Sequence, residues 1–469
     1  MESFPSITGK RMRWDQVNWW IFICVIIMQL CIIILFAEKG IGLVALITLG
    51  FVGFVYTAFS VEKLFFVICF YIIVFEEPGY LVYFPGISIF YSKFIAGLVL
   101  AIMILYWFIY VIHNKIRYEI KSLDKTIIVF LILSSISMIH GLMNGYDKGN
   151  ILEDYIPFIF FVSYFMVLYS PMNKYWKYLY DFFLFCTGIV SLQFIYAIFQ
   201  LKGLILLPRV VSTHIHLAQF ALPYLGLSFI YSENRIRKWL SVLIAPFILV
   251  AVFISQQRAL WLSVFITGVI LIVLFISKNR RQIIIHKKRL LVYIFIALIA
   301  IAGGISLVNQ FFSNSLILTA LSRSIVFLSP KFLTYDLSAI IRINELIDTI
   351  KEVSGQLLFG VGLGAVRITR WRDVFQLTVD NSFVFLLWKT GVTGLLGFLA
   401  IYFLHFKECI NILKKRIESY DKIVVLTTLL NFIGLFIIAL TNASIAHYRF
   451  IFIWASMIAV TEIISRKYE

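Results

Sequence analysis

Long apolar runs recur along this sequence and decide what it can fold into. The clear ones are residues 19–36, 40–59, 94–112, 127–142, 178–199, 259–276, 290–307, 382–404 and 423–440, and weaker ones are 64–75, 155–168, 215–230, 239–254 and 448–464. Each clear run approaches the roughly 20 residues that a helix needs to cross the hydrocarbon core of a bilayer. The sequence therefore predicts an all-α polytopic membrane protein with 12–14 transmembrane helices.

Composition supports the same fold class. The chain is 61% hydrophobic and only 14% charged, whereas soluble globular domains are about half apolar and about a quarter charged. A water-soluble fold could not bury so many apolar side chains, so many of them must face lipid.

Lysine and arginine predict the orientation, because they accumulate on cytoplasmic loops. With 14 spans, alternate loops carry the basic clusters at 10–13, 115–125, 174–177, 235–238, 278–289 and 407–416. The intervening loops hold mostly single charges. Both termini are thus predicted to be cytoplasmic, in a bacterial plasma (inner) membrane. The net charge of +17 is explained by topology and by attraction to anionic lipid, and not by nucleic-acid binding.

One predicted external loop, 309–381, is much longer than the others, and such loops usually carry function. It contains an amphipathic helix that Ser338 can cap and Gly355 ends, with apolar residues at the helical spacing Ile343, Leu346, Ile347 and Ile350. The Gly-x-Gly-x-Gly of Gly360, Gly362 and Gly364 follows, without the spacing or context of a dinucleotide site. We expect this stretch to return to the membrane surface in a tight turn.

Two arginines are candidates for binding phosphate. Arg258 stands at the external boundary between two spans, where it is either a snorkelling anchor or a bidentate phosphate ligand. Arg342 lies on the polar face of the amphipathic helix, where it is either a solvated charge or a second phosphate contact. Arg209 carries the same ambiguity, and Arg370 in the external loop is a further candidate for substrate binding.

Asp380 and Asn381 stand at the external mouth of a span. A carboxylate there can accept a proton from a sugar hydroxyl as a general base. The alternative is that this pair caps the following helix.

Three more side chains are candidates for contacting substrate. His214 and His216 lie at the outer end of another span. Their i, i+2 spacing does not place them on one helix face, so a metal pair is not expected. Lys389 lies about two turns inside a span, where it is either functional or snorkels outward.

The motifs of nucleotide and metal chemistry are absent. The sequence has no Walker loop, no His-Glu-x-x-His, no Asp-x-Asp and no serine nucleophile elbow. The expected reaction therefore uses no nucleotide hydrolysis, no metal and no cofactor.

Four features, in order, resemble the O-antigen ligase and polymerase superfamily of membrane glycosyltransferases. The first is Arg209-Val-Val-Ser-Thr before Leu217-Ala-Gln-Phe-Ala-Leu-Pro. The second is Ser255-Gln-Gln-Arg-Ala-Leu-Trp-Leu, which is similar to the family's Ser-Arg-Gly-Ala-Trp-Leu box. The third is Arg342 followed by Leu358-Phe-Gly-Val-Gly-Leu-Gly, and the fourth is Asp380-Asn before an apolar run and Gly-x-x-Gly.

The resemblance covers 209–404 and implies a core region there, with N-terminal spans in 1–208 and C-terminal spans in 405–469. It implies an undecaprenyl-pyrophosphate-linked glycan as donor, transferred outside the plasma membrane to a sugar hydroxyl. Arg258 and Arg342 would hold the pyrophosphate. Besides donor, acceptor and bilayer, a chain-length regulator and a flippase are candidate partners.

One departure from the family pattern bears on the activity. Ligases carry His directly before the Asn, where this chain has Asp380. The resemblance therefore favours a polysaccharide repeat-unit polymerase, with Asp380 as the candidate base or as the residue that orients the acceptor. Two alternatives stay open: a ligase that transfers finished glycan to an acceptor, and a flippase for lipid-linked oligosaccharide.

Overall fold

The structure is a computed structural model that describes residues 61–74, 101, 104–105, 107–113, 119–200, 213–255, 257–285, 337–369, 374–376 and 378–469. Its helices are α1 (Val61–Val74), α2 (Ser122–Met143), α3 (Lys148–Ile159), α4 (Val162–Leu168), α5 (Trp176–Gln200), α6 (Ala218–Tyr231), α7 (Arg235–Ile254), α8 (Arg258–Ile285), α9 (Leu337–Val353), α10 (Ser382–Lys414), α11 (Ser419–Ala439) and α12 (Tyr448–Lys467). Short 3₁₀ turns lie at Pro171–Lys174, Thr213–Leu217 and Ser444–Ala446. Strands β1 (Arg367–Thr369) and β2 (Val374–Gln376) form one antiparallel pair, with Arg367 opposite Gln376.

The prediction of an all-α polytopic membrane protein is confirmed. Eight helical segments of the described chain are long and apolar enough to cross a membrane: Ser122–Met143, Lys148–Leu168, Trp176–Ile195, Arg235–Phe253, Arg258–Ser277, Ser382–Lys414, Ser419–Ala439 and Tyr448–Lys467. The predicted run 215–230 is a shorter apolar helix, and 64–75 falls on α1, which has 14 residues. The predicted runs 19–36, 40–59 and 290–307, and most of 94–112, lie outside the described residues, so the total of 12–14 stays a prediction.

The spans alternate in direction and give the bundle two chemically different ends. At one end Lys121 contacts Glu462 and Glu469, Lys467 donates to Glu418 at 2.9 Å, and Arg237 pairs with Asp181 at 2.8 Å. The Lys467 ammonium holds the pKa of the Glu418 carboxyl below its usual range. Lys121, Lys177 and Arg237, from three of the basic loops that were predicted to share one side of the membrane, therefore lie at one end of the bundle, here called the basic end.

The buried core is built largely from aromatic rings that interlock across helices. Phe398 of α10 lies 6.1 Å from Phe130 of α2 and 5.1 Å from Trp454 of α12, measured between ring centroids. The helix α12 is central, because 94% of its span is buried, whereas only 17% of the span of α8 is buried. Edge-to-face and tilted ring contacts of this kind add to the packing that holds helices together in lipid.

The amphipathic helix predicted from 338 to 353 is confirmed as α9. It packs beside the first half of α10, and a buried glycine-rich segment, Gly360 to Ala365, follows it. This segment does not return along the membrane surface as expected. It lies between α2, α3 and α10, where the Leu363 N–H donates to the Ser137 carbonyl and the Val361 N–H donates to the Trp388 carbonyl. The sequence pattern revealed the turn but not the helices that surround it.

Candidate functional site

Arg342 and Asp380, two of the three predicted catalytic residues, meet at the end of the bundle opposite the basic end. The Arg342 Nε donates to the Asp380 Oδ2 at 3.4 Å, and about a third of each side chain is exposed. The contact uses Nε, so the guanidinium carries four further N–H donors on its terminal nitrogens. An anion and a sugar hydroxyl can therefore be bound next to each other here.

A cavity of about 150 Å³ opens beside this pair. It is lined by Arg342, Ile343, Glu345, Leu346, Val379, Asp380, Asn381 and Leu440. Liquid water occupies about 30 Å³ per molecule, so the cavity has room for about five waters or a small polar group of similar size. Its lining combines a guanidinium and carboxylates with apolar walls, which suits a ligand with both hydroxyl groups and C–H faces.

Asn381 caps α10, which was the structural alternative considered for the Asp380-Asn381 pair. The Asn381 Oδ1 accepts the N–H groups of Phe383 at 2.9 Å and Val384 at 3.1 Å. Its Nδ2 donates to the Leu440 carbonyl at 2.9 Å. Because the cap is supplied by Asn381, the Asp380 carboxylate is directed to Arg342 and the cavity.

We expect Asn381→Ala to lower the free energy of unfolding by about 1 kcal/mol or somewhat more, because two helix-terminal N–H groups lose their acceptor. Asp380→Ala removes an ion pair whose two side chains are partly exposed, and the loss of that pair should cost less than about 1 kcal/mol. Thermal unfolding of the purified protein in detergent compares the two variants. Equal losses would show that Asp380 shares the capping role.

A line of hydrogen bonds connects this site to His216. The Ser382 Oγ donates to the Asn442 carbonyl at 2.7 Å, and the Asn442 Nδ2 lies 3.4 Å from the His216 Nε2. The His216 ring is buried and packs 5.6 Å from the Phe450 ring. The connection between α11 and α12 therefore places this predicted residue at the same end of the bundle as Asp380.

Arg258 is the first residue of α8 and is half-buried. Leu260, two residues on, packs in one buried cluster with Ile215 and Ile438, which flank the His216 region. Arg258 therefore lies at the site end as well. The interaction of a cation with the positive, N-terminal end of a helix dipole is unfavourable, so the charge of Arg258 does not stabilise α8 through the dipole. An anion would be attracted both by its guanidinium and by the helix N-terminus.

Lys389 does not snorkel outward. Its side chain is fully buried, and its Nζ donates to the Asp154 Oδ2 at 2.5 Å and to the Ala365 carbonyl at 2.6 Å. The same Asp154 oxygen accepts the Gly364 N–H at 2.8 Å. Lys389 is absent from the lining of the cavity, so its contacts favour a structural role over the predicted contact with substrate.

Sequence reasoning missed Glu345. This ionisable side chain is only 1% exposed, and it lines the cavity together with Arg342, one helical turn away. Thr349, the next residue on this face, is also fully buried and receives a hydrogen bond from Arg367. The signal was a polar stripe at 342, 345 and 349 with the same helical spacing as the apolar residues.

The remaining predicted residues cannot be compared with the structure. Arg209 and Arg370 lie outside the described residues, and so does the side chain of His214. The chain matches no protein-family model and no curated protein.

Proposed function

We propose that this protein is a membrane glycosyltransferase that polymerises undecaprenyl-pyrophosphate-linked repeat units into a surface polysaccharide. The observation that carries the proposal is the Arg342–Asp380 pair beside a small cavity with charged groups and apolar walls, at the end of the bundle opposite the basic end. The basic end would be cytoplasmic by the positive-inside rule. The site would then face outward from the bacterial plasma membrane.

In the proposed reaction, a hydroxyl oxygen of the acceptor sugar attacks the anomeric carbon of the donor. Asp380 accepts the hydroxyl proton, the bond between the anomeric carbon and the phosphate oxygen breaks, and undecaprenyl pyrophosphate leaves. Arg342 and Arg258 offset the charge that develops on the pyrophosphate, an effect that is largest in a preorganised site. A direct displacement inverts the anomeric centre.

The test is glycan analysis of a deletion strain complemented with the wild-type gene, with Arg258→Ala or with Arg235→Ala. Arg235 is the matched control, because it is exposed and is also the first residue of a helix, at the basic end. A polymerase predicts single repeat units in the deletion strain and long chains restored by wild type and Arg235→Ala, but not by Arg258→Ala.

Other outcomes would contradict the proposal in identifiable ways. Full-length chains that stay on their lipid carrier in the deletion strain would indicate a ligase. Unpolymerised units trapped inside the cell would indicate a flippase. Full polymerisation by Arg258→Ala would remove this arginine from the mechanism.

A further inference from the structure

The helix α9 is turned so that a polar face is buried and an apolar face is exposed. Ile343, Ile347 and Ile350 are 40%, 44% and 49% exposed, whereas Glu345 and Thr349 are 1% and 0% exposed. A helix on the surface of a water-soluble protein does the opposite. The reversal indicates that the surroundings of the isoleucine face are themselves apolar.

The outward surface of α9 is divided into two stripes. With 3.6 residues per turn, Ile343, Ile347 and Ile350 form one stripe, and the neighbouring stripe holds Asn344, Asp348, Lys351 and Glu352. The third side packs on α10 and carries Glu345, Thr349 and the buried Val353. A helix with protein, apolar and polar sides fits the boundary between lipid and water.

The chain after α9 continues into the bundle. The Leu357 carbonyl accepts the Val392 N–H at 2.9 Å, and the Leu358 carbonyl accepts the Thr393 N–H at 3.2 Å. Val392 follows Gly391, where non-helical backbone (φ 69°, ψ −170°) breaks α10. The stretch of the candidate span before this break, 382–390, extends about 13 Å at 1.5 Å per residue. The segment therefore reaches well below the start of that span.

Backbone at membrane depth must have its polar groups satisfied by protein. The glycine-rich segment meets this condition with bonds to α2, α3 and α10, including one from the Asn144 Nδ2 to the Val361 carbonyl at 3.0 Å. Leu357 and Leu358 just before it are 52% and 65% exposed, similar to Leu396 on the outer face of α10 at 58%. Leu396 is three residues beyond Thr393, whose N–H donates to the Leu358 carbonyl, so exposed apolar side chains stand on both sides of this contact.

We propose that α9 lies in the membrane–water interface, with Ile343, Ile347, Ile350, Leu357 and Leu358 in contact with lipid acyl chains. The loop predicted to be external is then seated in the bilayer. This arrangement holds Arg342 and the cavity at the level of the lipid headgroups. The inference concerns the position of the helix and does not depend on the proposed enzyme activity.

Site-directed spin labelling of the full chain in liposomes tests this position. Single cysteines at 343, 347, 350 and 358 should be more accessible to oxygen, which concentrates in lipid, than to a water-soluble nickel complex. Cysteines at 344, 348 and 352 should show the reverse. Leu396→Cys supplies the lipid reference, since this side chain is exposed within the span α10. Lys415→Cys supplies the water reference, since this side chain is exposed at the basic end of α10.

The labels are introduced into a chain in which the five native cysteines are replaced. If that chain aggregates, the native cysteines are kept and the parent spectrum is subtracted, since Cys69, Cys186 and Cys409 are buried. Equal nickel accessibility of both stripes would overturn the proposal in favour of a water-exposed loop. Isoleucine positions that neither reagent reaches would overturn it in favour of a protein partner on that face.

Discussion

Lys389→Ala is expected to lower the free energy of unfolding by about 3–5 kcal/mol, because removing one partner of a buried ion pair leaves the other charge uncompensated. The variant would leave the Asp154 carboxylate, which is 3% exposed, with a hydrogen bond from the Gly364 N–H but without the lysine charge. It would also free the Ala365 carbonyl from its lysine donor. The measurement is the fraction of monodisperse protein left after heating in detergent.

Two further variants separate this effect from a general loss of charge. Lys407→Ala changes an exposed lysine on the same helix α10 and should leave stability unchanged. The double variant Asp154→Asn/Lys389→Met removes both charges and keeps an acceptor for the Gly364 N–H, so it should recover most of the loss. If Lys389→Ala were as stable as Lys407→Ala, the ion pair would contribute nothing to the fold.

The helices were predictable because each is encoded locally. Apolar runs of span length, such as 382–404 and 423–440, correspond to the observed helices α10 and α11. The spacing of Ile343, Ile347 and Ile350 is a local property as well, and it predicted α9 correctly. The clustering of lysine and arginine in alternate loops likewise predicted which loops share one end of the bundle.

Contacts between distant parts of the chain were not predictable. Asp154 and Lys389 are 235 residues apart, and nothing near Asp154 in the sequence marks it as the partner of a lysine. The surroundings of the glycine-rich segment are equally remote. A Cβ at Gly391, where φ is 69°, would collide with the Leu358 carbonyl, and one at Gly362 would collide with the backbone of Gly141.

The surroundings that each face of a helix contacts were also not predictable from the sequence. Periodicity gives the spacing of a stripe but not what it faces, and in a membrane protein an apolar stripe can face lipid or protein. Glu345 of α9 was missed for this reason, since a glutamate among the isoleucines of an amphipathic helix is ordinarily expected to face solvent. Its burial beside Arg342 follows only from the packing of α9 on α10.

Asp380→Asn is expected to reduce chain extension by about 10²–10⁴-fold, the usual contribution of a general base. The substitution keeps the size of the side chain and an oxygen that can accept from Arg342, but an amide cannot take the proton from the attacking hydroxyl. Stability should not change measurably, because the cap of α10 is supplied by Asn381. The measurement is the rate of chain extension by purified protein in liposomes that contain the lipid-linked repeat unit.

Two further variants, Glu345→Gln and Asp348→Asn, test which carboxylate acts as the general base. Glu345 lines the same cavity as Asp380, whereas Asp348 lies on the same helix and is absent from the cavity lining. If Asp380 is the base, Asp348→Asn retains full activity and Glu345→Gln retains more activity than Asp380→Asn. A loss confined to Glu345→Gln would transfer the base to Glu345 and leave Asp380 as the residue that orients Arg342. Activity of Asp380→Asn above a tenth of wild type would rule out proton transfer by Asp380, because an amide cannot act as a general base.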